Sequence, residues 1–261
     1  FNHFLTSYMP NPNVGSKVHF QNMIEQSILA EKLGYKKLSI PEHHLINLLM
    51  MPSPLQMAVK IASLTKNISI STSVAVLPLH DMRTYAGEVA TADILTDGRL
   101  ILGVARGAFP WEMKRLGTPI EHSKEKFTES LEVLQKLLSE EEVSFSGKYY
   151  NFEALTIMPR PITQPIPIMI AAMDPKSIKN AALRGFHVQS TVLSGTRELL
   201  MERVNAFRDG CEELGEKGKL LKLSMQRMMF VAKDQDDVEK KNRLAYEYYK
   251  RFDNMLSLIH I

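Results

Sequence analysis

The chain has 261 residues, of which 44% are hydrophobic and 23% are charged, and its formal net charge is +3. This is the composition of an ordinary globular protein, and the lack of a dense Lys/Arg run excludes a nucleic-acid-binding surface. Cys211 is the single cysteine, which excludes a disulfide framework and is typical of a reducing compartment. With no signal-peptide pattern and no apolar run long enough to span a membrane, we expect a cytoplasmic protein without a membrane partner.

Predicted strands and helices alternate seven times along the chain. Apolar and β-branched runs predict strands at residues 3–8, 38–44, 68–77, 100–104, 168–172, 188–192 and 223–232. Apolar residues at helical spacing, bounded by capping residues, Gly or Pro, predict helices at residues 18–33, 53–65, 82–95, 123–138, 174–184, 196–214 and 236–252. Residues 143–152 predict a small hairpin around Ser146 and Gly147, which we interpret as an insertion.

Strands that alternate with helices through short connections predict a parallel sheet. Two α/β architectures fit this pattern, an open doubly wound sheet and a TIM (β/α)8-type barrel. An open sheet that binds a nucleotide usually carries a Gly-rich loop after its first strand, whereas this chain has Met9-Pro10-Asn11-Pro12 there and only Gly15 nearby. We therefore predict a single barrel domain over residues 1–261 that lacks the last strand and helix, because the sequence supplies seven units.

Three ionisable side chains, Glu42, His43 and His44, stand at the end of the second predicted strand. Burying charges without partners is costly, so this sequence does not suit the inside of a sheet. It suits the carboxyl end of a barrel strand, where the catalytic groups of such barrels lie. The alternatives are a solvent-exposed loop that happens to carry two histidines, and a metal site. We predict no bound metal, because adjacent residues of a strand point to opposite faces and cannot easily grip one ion.

Six short motifs occur in an order and spacing that resemble the bacterial luciferase-like flavin monooxygenases. They are Pro-Glu-His-His at 41–44, Val-Leu-Pro at 76–78, Asp-Gly-Arg at 97–99, Gly-Val-Ala-Arg-Gly at 103–107, Pro-Ile-Met-Ile-Ala-Ala at 167–172 and Ala-Ala-Leu-Arg-Gly at 181–185. The Gly-rich pieces are weak signals singly, but together the six motifs are a strong signal, and the resemblance covers nearly the whole chain. The sequence resembles the catalytic, α-type branch, because the non-catalytic luciferase subunit lacks the paired histidines and the Arg-Gly.

The resemblance implies a TIM barrel that binds reduced flavin mononucleotide (FMN), supplied by a separate flavin reductase, and uses oxygen to oxidise an aldehyde or another small apolar molecule. In the family the first histidine of the pair is catalytic and its neighbour also matters for activity. This implies catalytic roles for His43 and His44, with Glu42 beside them. The family's Arg-Gly arginine holds the flavin phosphate and a small hydroxyl residue after the fifth strand assists it, which implies these roles for Arg106 and Ser177.

The resemblance also implies which residues line the flavin. The family carries a non-proline cis peptide beside the flavin on the third strand, and the matching bond joins Ser73 and Val74. Ala105 departs from the luciferases, which carry a reactive cysteine before the arginine. We therefore expect Ser73, Val74 and Ala105 at the cofactor site, and the missing thiol weakens the case for light emission.

Elementary chemistry supports the same phosphate site. A phosphate is bound well by the planar donor fork of an arginine and by the N–H groups at a helix N-terminus. Arg106 offers the fork, and the helix that follows Asp174 offers the N–H groups, with Ser177 in its first turn. Each residue taken singly has a simpler interpretation. Arg106 could be a surface arginine paired with a carboxylate such as Glu112, and Ser177 could be an ordinary first-turn serine.

Three functions remain open from the sequence. The first is a two-component flavin-dependent monooxygenase, an oxidoreductase of the luciferase-like kind, and this is our main prediction. The second is a relative that binds a deazaflavin and transfers hydride without oxygen. The third is a non-catalytic flavin-binding partner subunit. Pairing into a homodimer or a heterodimer is possible in each case.

Overall fold

The computed structural model describes residues 1–9, 11–46, 49–191 and 196–257, with residues 12 and 252–257 described by their backbone alone. Its strands are β1 Asn2–Phe4, β2 Lys37–Ile40, β3 Ser69–Thr72, β4 Ala75–Val76, β5 Leu100–Ala105, β6 Val143–Ser146, β7 Asn151–Leu155, β8 Ile168–Ala171, β9 His187–Thr191 and β10 Leu223–Gln226. Its α-helices are α1 Ser16–Lys32, α2 Pro54–Ala62, α3 Met82–Leu95, α4 Pro110–Arg115, α5 Ile120–Ser139, α6 Pro175–Leu183, α7 Arg197–Leu214 and α8 Gln235–Ser257. Among the described residues, no helix is long and apolar enough to cross a membrane.

Seven parallel barrel strands form the main sheet. The strands pair in the order β1, β2, β3, β5, β8, β9 and β10, and β4 continues β3 and also pairs with β5. The sheet curls on itself. Ser73, between β3 and β4, donates from Oγ to Gln189 Oε1 of β9 over 2.5 Å, although β5 and β8 separate these strands in the sheet. Within the described ranges, no pairing joins β1 to β10. The predicted incomplete (β/α)8 barrel is therefore confirmed.

Alternation along the strands separates an apolar outside from a more polar inside. Leu38, Ile40 and Ile70 are fully buried in the apolar core between the sheet and the helices. The residues between them face the barrel interior, where the hydroxyls of Ser39 and Ser71 lie 3.1 Å apart in a hydrogen bond. Both faces of these strands are covered, which explains why the sequence shows continuous apolar runs instead of a simple alternation.

Close approach between two barrel strands requires a glycine in β5. A Cβ atom added to Gly103 would lie 2.1 Å from the carbonyl oxygen of Thr72 in β3. The Thr72 hydroxyl also donates to the Gly103 carbonyl over 2.7 Å. The two strands can therefore pack this tightly only because position 103 has no side chain.

Most predicted elements are confirmed, and the hairpin of β6 and β7 is antiparallel and separate from the barrel sheet. Several predictions were wrong in extent. The strand predicted at residues 68–77 is interrupted between β3 and β4, and the helix predicted to end at residue 252 continues to Ser257. The first and second strands end at Phe4 and Ile40, and the seventh ends at Gln226, where the sequence predicted ends at residues 8, 44 and 232. Within the described residues β10 pairs only with β9. The mostly apolar residues 227–232 that follow β10 have no strand to pair with on the other side and are largely exposed. Residue 192, predicted as the end of the sixth strand, lies outside the described residues.

Candidate active site

The loop after β2 carries the three ionisable residues singled out from the sequence. Because β2 ends at Ile40, they lie beyond the strand and not on it. The His43 backbone N–H donates to the Met51 carbonyl over 2.9 Å, which fixes the loop across the carboxyl end of the barrel. Their side chains separate into two groups, with Glu42 and His44 in one hydrogen-bonded network and His43 in another environment.

Glu42 is the centre of the first group. Its side chain is buried, and its Oε1 atom lies 2.6 Å from His44 Nε2 and 2.8 Å from His80 Nε2. Its Oε2 atom accepts the backbone N–H of Val76 over 3.0 Å. Burial alone would raise the pKa of Glu42, but the hydrogen bonds from the two histidines and Val76 prevail and lower it to about 2. Glu42 is therefore an ionised acceptor, so both Nε2 atoms must carry hydrogens.

The two histidines of this network have different surroundings. The hydrogen bond to Glu42 raises the pKa of His44, against the opposing effect of burial. The His80 ring stacks on Tyr85, with ring centroids 4.4 Å apart. Ligand-type atoms of Glu42, His44 and His80 lie within 4.8 Å of one another, and they satisfy each other by hydrogen bonds. His80 was not predicted, although it follows the next barrel strand, whose carboxyl end must lie beside that of β2.

His43 faces a second carboxylate. Its Nδ1 atom is buried, has no hydrogen-bond partner and lies 3.8 Å from Glu112 Oε2. Glu112 is only 2% exposed, and its other oxygen accepts the His44 backbone N–H. A separation of 3.8 Å is longer than a hydrogen bond, but catalytic contacts often tighten only when the substrate is bound. Glu112 thus connects the two groups of the site, and it comes from α4, a helix that the sequence pattern does not predict.

An apolar cluster covers this side of the barrel mouth. Its buried members are Ile46, Leu49 and Phe109, and Tyr8 and Trp111 pack against them. The His43 ring meets the Phe109 ring edge-on, with centroids 5.2 Å apart. The imidazole of His43 therefore lies between a buried carboxylate and an apolar surface, with 23% of its side chain accessible to solvent.

The predicted phosphate residues follow two neighbouring strands, β5 and β8. Asp174 caps α6, where its Oδ1 atom accepts the Ser177 backbone N–H over 2.9 Å. Burial raises the pKa of Asp174, but hydrogen bonds from Ser177 and the positive charge of Arg106 outweigh it and lower the pKa. Arg106 directly follows β5 and α6 follows β8, and these two strands pair, so Arg106 and the N-terminus of α6 lie at the same end of the barrel. A guanidinium and a helix N-terminus are donors that suit a phosphate, but the Ser177 hydroxyl and backbone N–H already donate to the ionised Asp174 carboxylate, which a phosphate would have to displace.

The remaining predicted cofactor residues lie on β5 and on the segment between β3 and β4, which pair with it. The peptide bond between Ser73 and Val74 is cis, which confirms the prediction. Ala105 is the last residue of β5 and pairs with Val76 of β4, two residues beyond Val74. These three residues therefore share the carboxyl end of the barrel with Glu42 and Arg106.

Comparison with known proteins gives the family. The family described as luciferase-like monooxygenase matches residues 2–258. The chain belongs to this family. Its oxygenase-type relatives include the oxygenase component of the flavin-dependent trigonelline monooxygenase of Acinetobacter baylyi, which is 28% identical over 89% of this chain and 65% of its own length. The chain spans about two thirds of the length of such curated relatives.

Solved structures agree with this membership at the level of the fold. Monooxygenase RslO1 from Streptomyces bottropensis superposes with a TM-score of 0.87, at 24% identity over 98% of this chain and 80% of its own. The oxygenating constituent of 3,6-diketocamphane monooxygenase from Pseudomonas putida, solved in complex with FMN, gives a TM-score of 0.80, at 19% identity over 97% of this chain and 76% of its own. An F420-dependent relative also appears: the F420-dependent glucose-6-phosphate dehydrogenase of Amycolatopsis mediterranei is 29% identical over 74% of this chain and 60% of its own length.

Proposed function

We propose that this luciferase-like chain is the oxygenase component of a two-component flavin monooxygenase. It takes reduced FMN from a separate flavin reductase and oxidises an aldehyde or another small apolar molecule with oxygen. The observation that carries this proposal is the position of His43 at the barrel mouth, between a buried carboxylate and an apolar cluster, at the same barrel end as Arg106. The location in the cytoplasm and the pairing into dimers stay predictions.

The cofactor fits the residues at this end of the barrel. Arg106, Ser177 and the α6 N-terminus would hold the FMN phosphate, and Ser73, Val74 and Ala105 would line the flavin. When bound, reduced FMN supplies the two electrons that activate oxygen. The exposed guanidinium of Arg106 leaves its donor fork available to a phosphate.

His43 acts in this proposal as a general base on the substrate. An imidazole has an unperturbed pKa near neutral pH, so it can accept a proton under cellular conditions. Glu112, 3.8 Å from Nδ1, stabilises the imidazolium that results, because it is buried and acidic. The apolar cluster around Phe109 limits the access of water, and Glu42 with His44 and His80 fixes the loop that carries the base.

A deazaflavin-dependent hydride transfer is the second candidate, and the F420-dependent relatives favour it. The decisive experiment is anaerobic binding of reduced FMN and of reduced F420, followed by oxygen uptake with aldehydes of increasing chain length. We expect tight binding of reduced FMN, substrate-dependent oxygen uptake and an oxygenated product by mass spectrometry. Preference for F420 without oxygen uptake would favour hydride transfer, and flavin binding without any turnover would favour a non-catalytic subunit.

Arg106→Ala is expected to weaken FMN binding by about ten- to a hundred-fold, because a charge-assisted hydrogen bond is worth roughly 1.5–3 kcal/mol. Binding of riboflavin, which lacks the phosphate, should barely change. Fluorescence titration of both ligands measures this difference. Arg208→Ala, at an exposed position of α7, is the matched control and should bind both ligands as the parent does. Equal losses for FMN and riboflavin would assign Arg106 to the fold instead of the phosphate.

A further inference from the structure

Basic side chains gather at the amino end of the barrel, opposite the candidate active site. Lys37 is the first residue of β2, His187 is the first residue of β9, and Lys222 immediately precedes β10. Since the barrel strands are parallel, their first residues lie at the same end of the barrel. These three residues have no part in the proposed oxygenase chemistry.

Lys37 reaches into the barrel interior. Its Nζ atom lies 3.7 Å from the Sδ atom of Met169 in β8. In the sheet, β2 and β8 are separated by β3 and β5, so this contact crosses the inside of the barrel. A thioether is only a weak acceptor, whereas an ammonium group has three hydrogens to donate. Met169 therefore leaves most of the hydrogen-bonding capacity of Lys37 unused.

His187 and Lys222 approach the same place from the far side. His187 is the register partner of Met169, so the two side chains share the interior face. The Nδ1 atom of His187 accepts the backbone N–H of Lys222 over 3.1 Å. In the neutral ring, Nε2 must then carry the hydrogen, which makes it a donor.

The charges of this group oppose one another. Burial, and after it the charge of Lys222, lowers the pKa of Lys37. Burial lowers the pKa of His187, and the charges of Lys222 and Lys37 lower it further. The ion pairs found among the described residues do not include these three side chains. Positive charges held together without a counter-charge are unfavourable in a partly buried place.

We propose that the amino end of the barrel binds a small oxyanion, of the phosphate or carboxylate kind, between Lys37, His187 and Lys222. Such an anion would accept hydrogen bonds from both ammonium groups and from the imidazole, and it would offset their repulsion. Lys37 is the register partner of Asn2 in β1 and Lys222 immediately precedes β10, and among the described residues these two strands do not pair, so the three basic residues lie beside this gap in the sheet. The proposed site is separate from Arg106, which lies at the other end of the barrel.

The test measures thermal stability while phosphate replaces chloride at constant ionic strength. An Arg106→Ala background removes the other candidate phosphate site, so the result does not depend on the proposed flavin chemistry. A ligand that binds only the folded state raises the melting temperature in a saturable way. We expect this rise in the Arg106→Ala protein, and we expect Lys37→Met in that background to weaken phosphate binding by about ten- to a hundred-fold. Without phosphate, Lys37→Met should be at least as stable, because it removes an unpaired interior charge.

The controls separate this site from general salt effects. Lys60→Met, at an exposed position of α2, makes the same change of charge and should keep the full phosphate response. Lys222→Met, at an exposed position, tests the site without altering the barrel interior and should also weaken the response. Acetate, used in place of phosphate, tells whether a carboxylate is the preferred ligand. A phosphate response that survives both Lys37→Met and Lys222→Met, or an Arg106→Ala protein that responds to neither anion, would overturn the proposal.

Discussion

Glu42→Gln is expected to lower the free energy of unfolding by about 3 kcal/mol near pH 6, because removing one partner of a buried ionic network leaves the others unsatisfied. The Glu42 carboxylate binds His44, His80 and the Val76 backbone N–H, and its side chain is inaccessible to solvent. A neutral amide can replace one acceptor but not the charge. Urea unfolding of both proteins, followed by circular dichroism, measures the loss.

The pH dependence of this loss tests the cause. The pKa of Glu42 falls from 4.5 to about 2 on folding, so its contribution is complete above pH 4.5 and is lost as the pH falls through about 2. The pKa of His44 is raised, so the charged pair is complete below its ordinary value of 6.5 and is lost as the pH rises through the folded value. The pKa shifts of Glu42 and His44 describe the same interaction, so its contribution to the free energy of unfolding is counted once.

The difference in unfolding free energy between parent and Glu42→Gln should therefore be largest between about pH 4.5 and 6.5, and it should shrink on either side. Glu132→Gln, at an exposed position of α5, controls for the loss of a carboxylate and should differ little from the parent at any pH. A difference between parent and Glu42→Gln that stays constant with pH would show that packing, and not charge, is responsible.

Local sequence patterns were sufficient to predict the helices and strands whose bounds are determined by local interactions. The helix α3 has the bounds predicted for residues 82–95, and it begins where the Asp81 side chain accepts the Arg83 backbone N–H. The alternation of strands and helices was sufficient to predict the barrel, because short connections allow only a few topologies of a parallel sheet. The loop with Glu42 and His43 could be found because charged residues cannot remain inside a covered strand.

The missed features depend on contacts between distant parts of the chain. The helix α4 has six residues, too few for a helical apolar repeat, so no pattern predicts that Glu112 is buried beside His43. The position of His80 near Glu42 could have been predicted, because the carboxyl ends of neighbouring parallel strands lie side by side. Its hydrogen bond to Glu42 could not, because it depends on the direction of the side chain. The pattern of residues 227–232 favours a strand by propensity, yet a strand also needs a partner on which to pair.

His43→Ala is expected to lower turnover by about 10²–10⁴-fold, because this is the usual contribution of a general base. Affinity for reduced FMN should stay near that of the parent, since the proposed phosphate contacts are at Arg106 and Ser177. Single-turnover kinetics with reduced FMN, oxygen and the preferred aldehyde measures the first quantity, and fluorescence titration measures the second. Added imidazole should restore part of the rate by occupying the vacated space.

Two further variants separate a base from a structural histidine. His122→Ala, at an exposed position of α5, should leave turnover unchanged. Glu112→Gln keeps the shape of the carboxylate but removes the charge 3.8 Å from His43 Nδ1, so the imidazolium loses its stabilising partner. Turnover should then fall while flavin affinity stays near that of the parent and His43 remains in place. Parent-like turnover in His43→Ala would show that another residue is the base. A loss of flavin binding together with turnover would show that His43 supports the structure of the pocket.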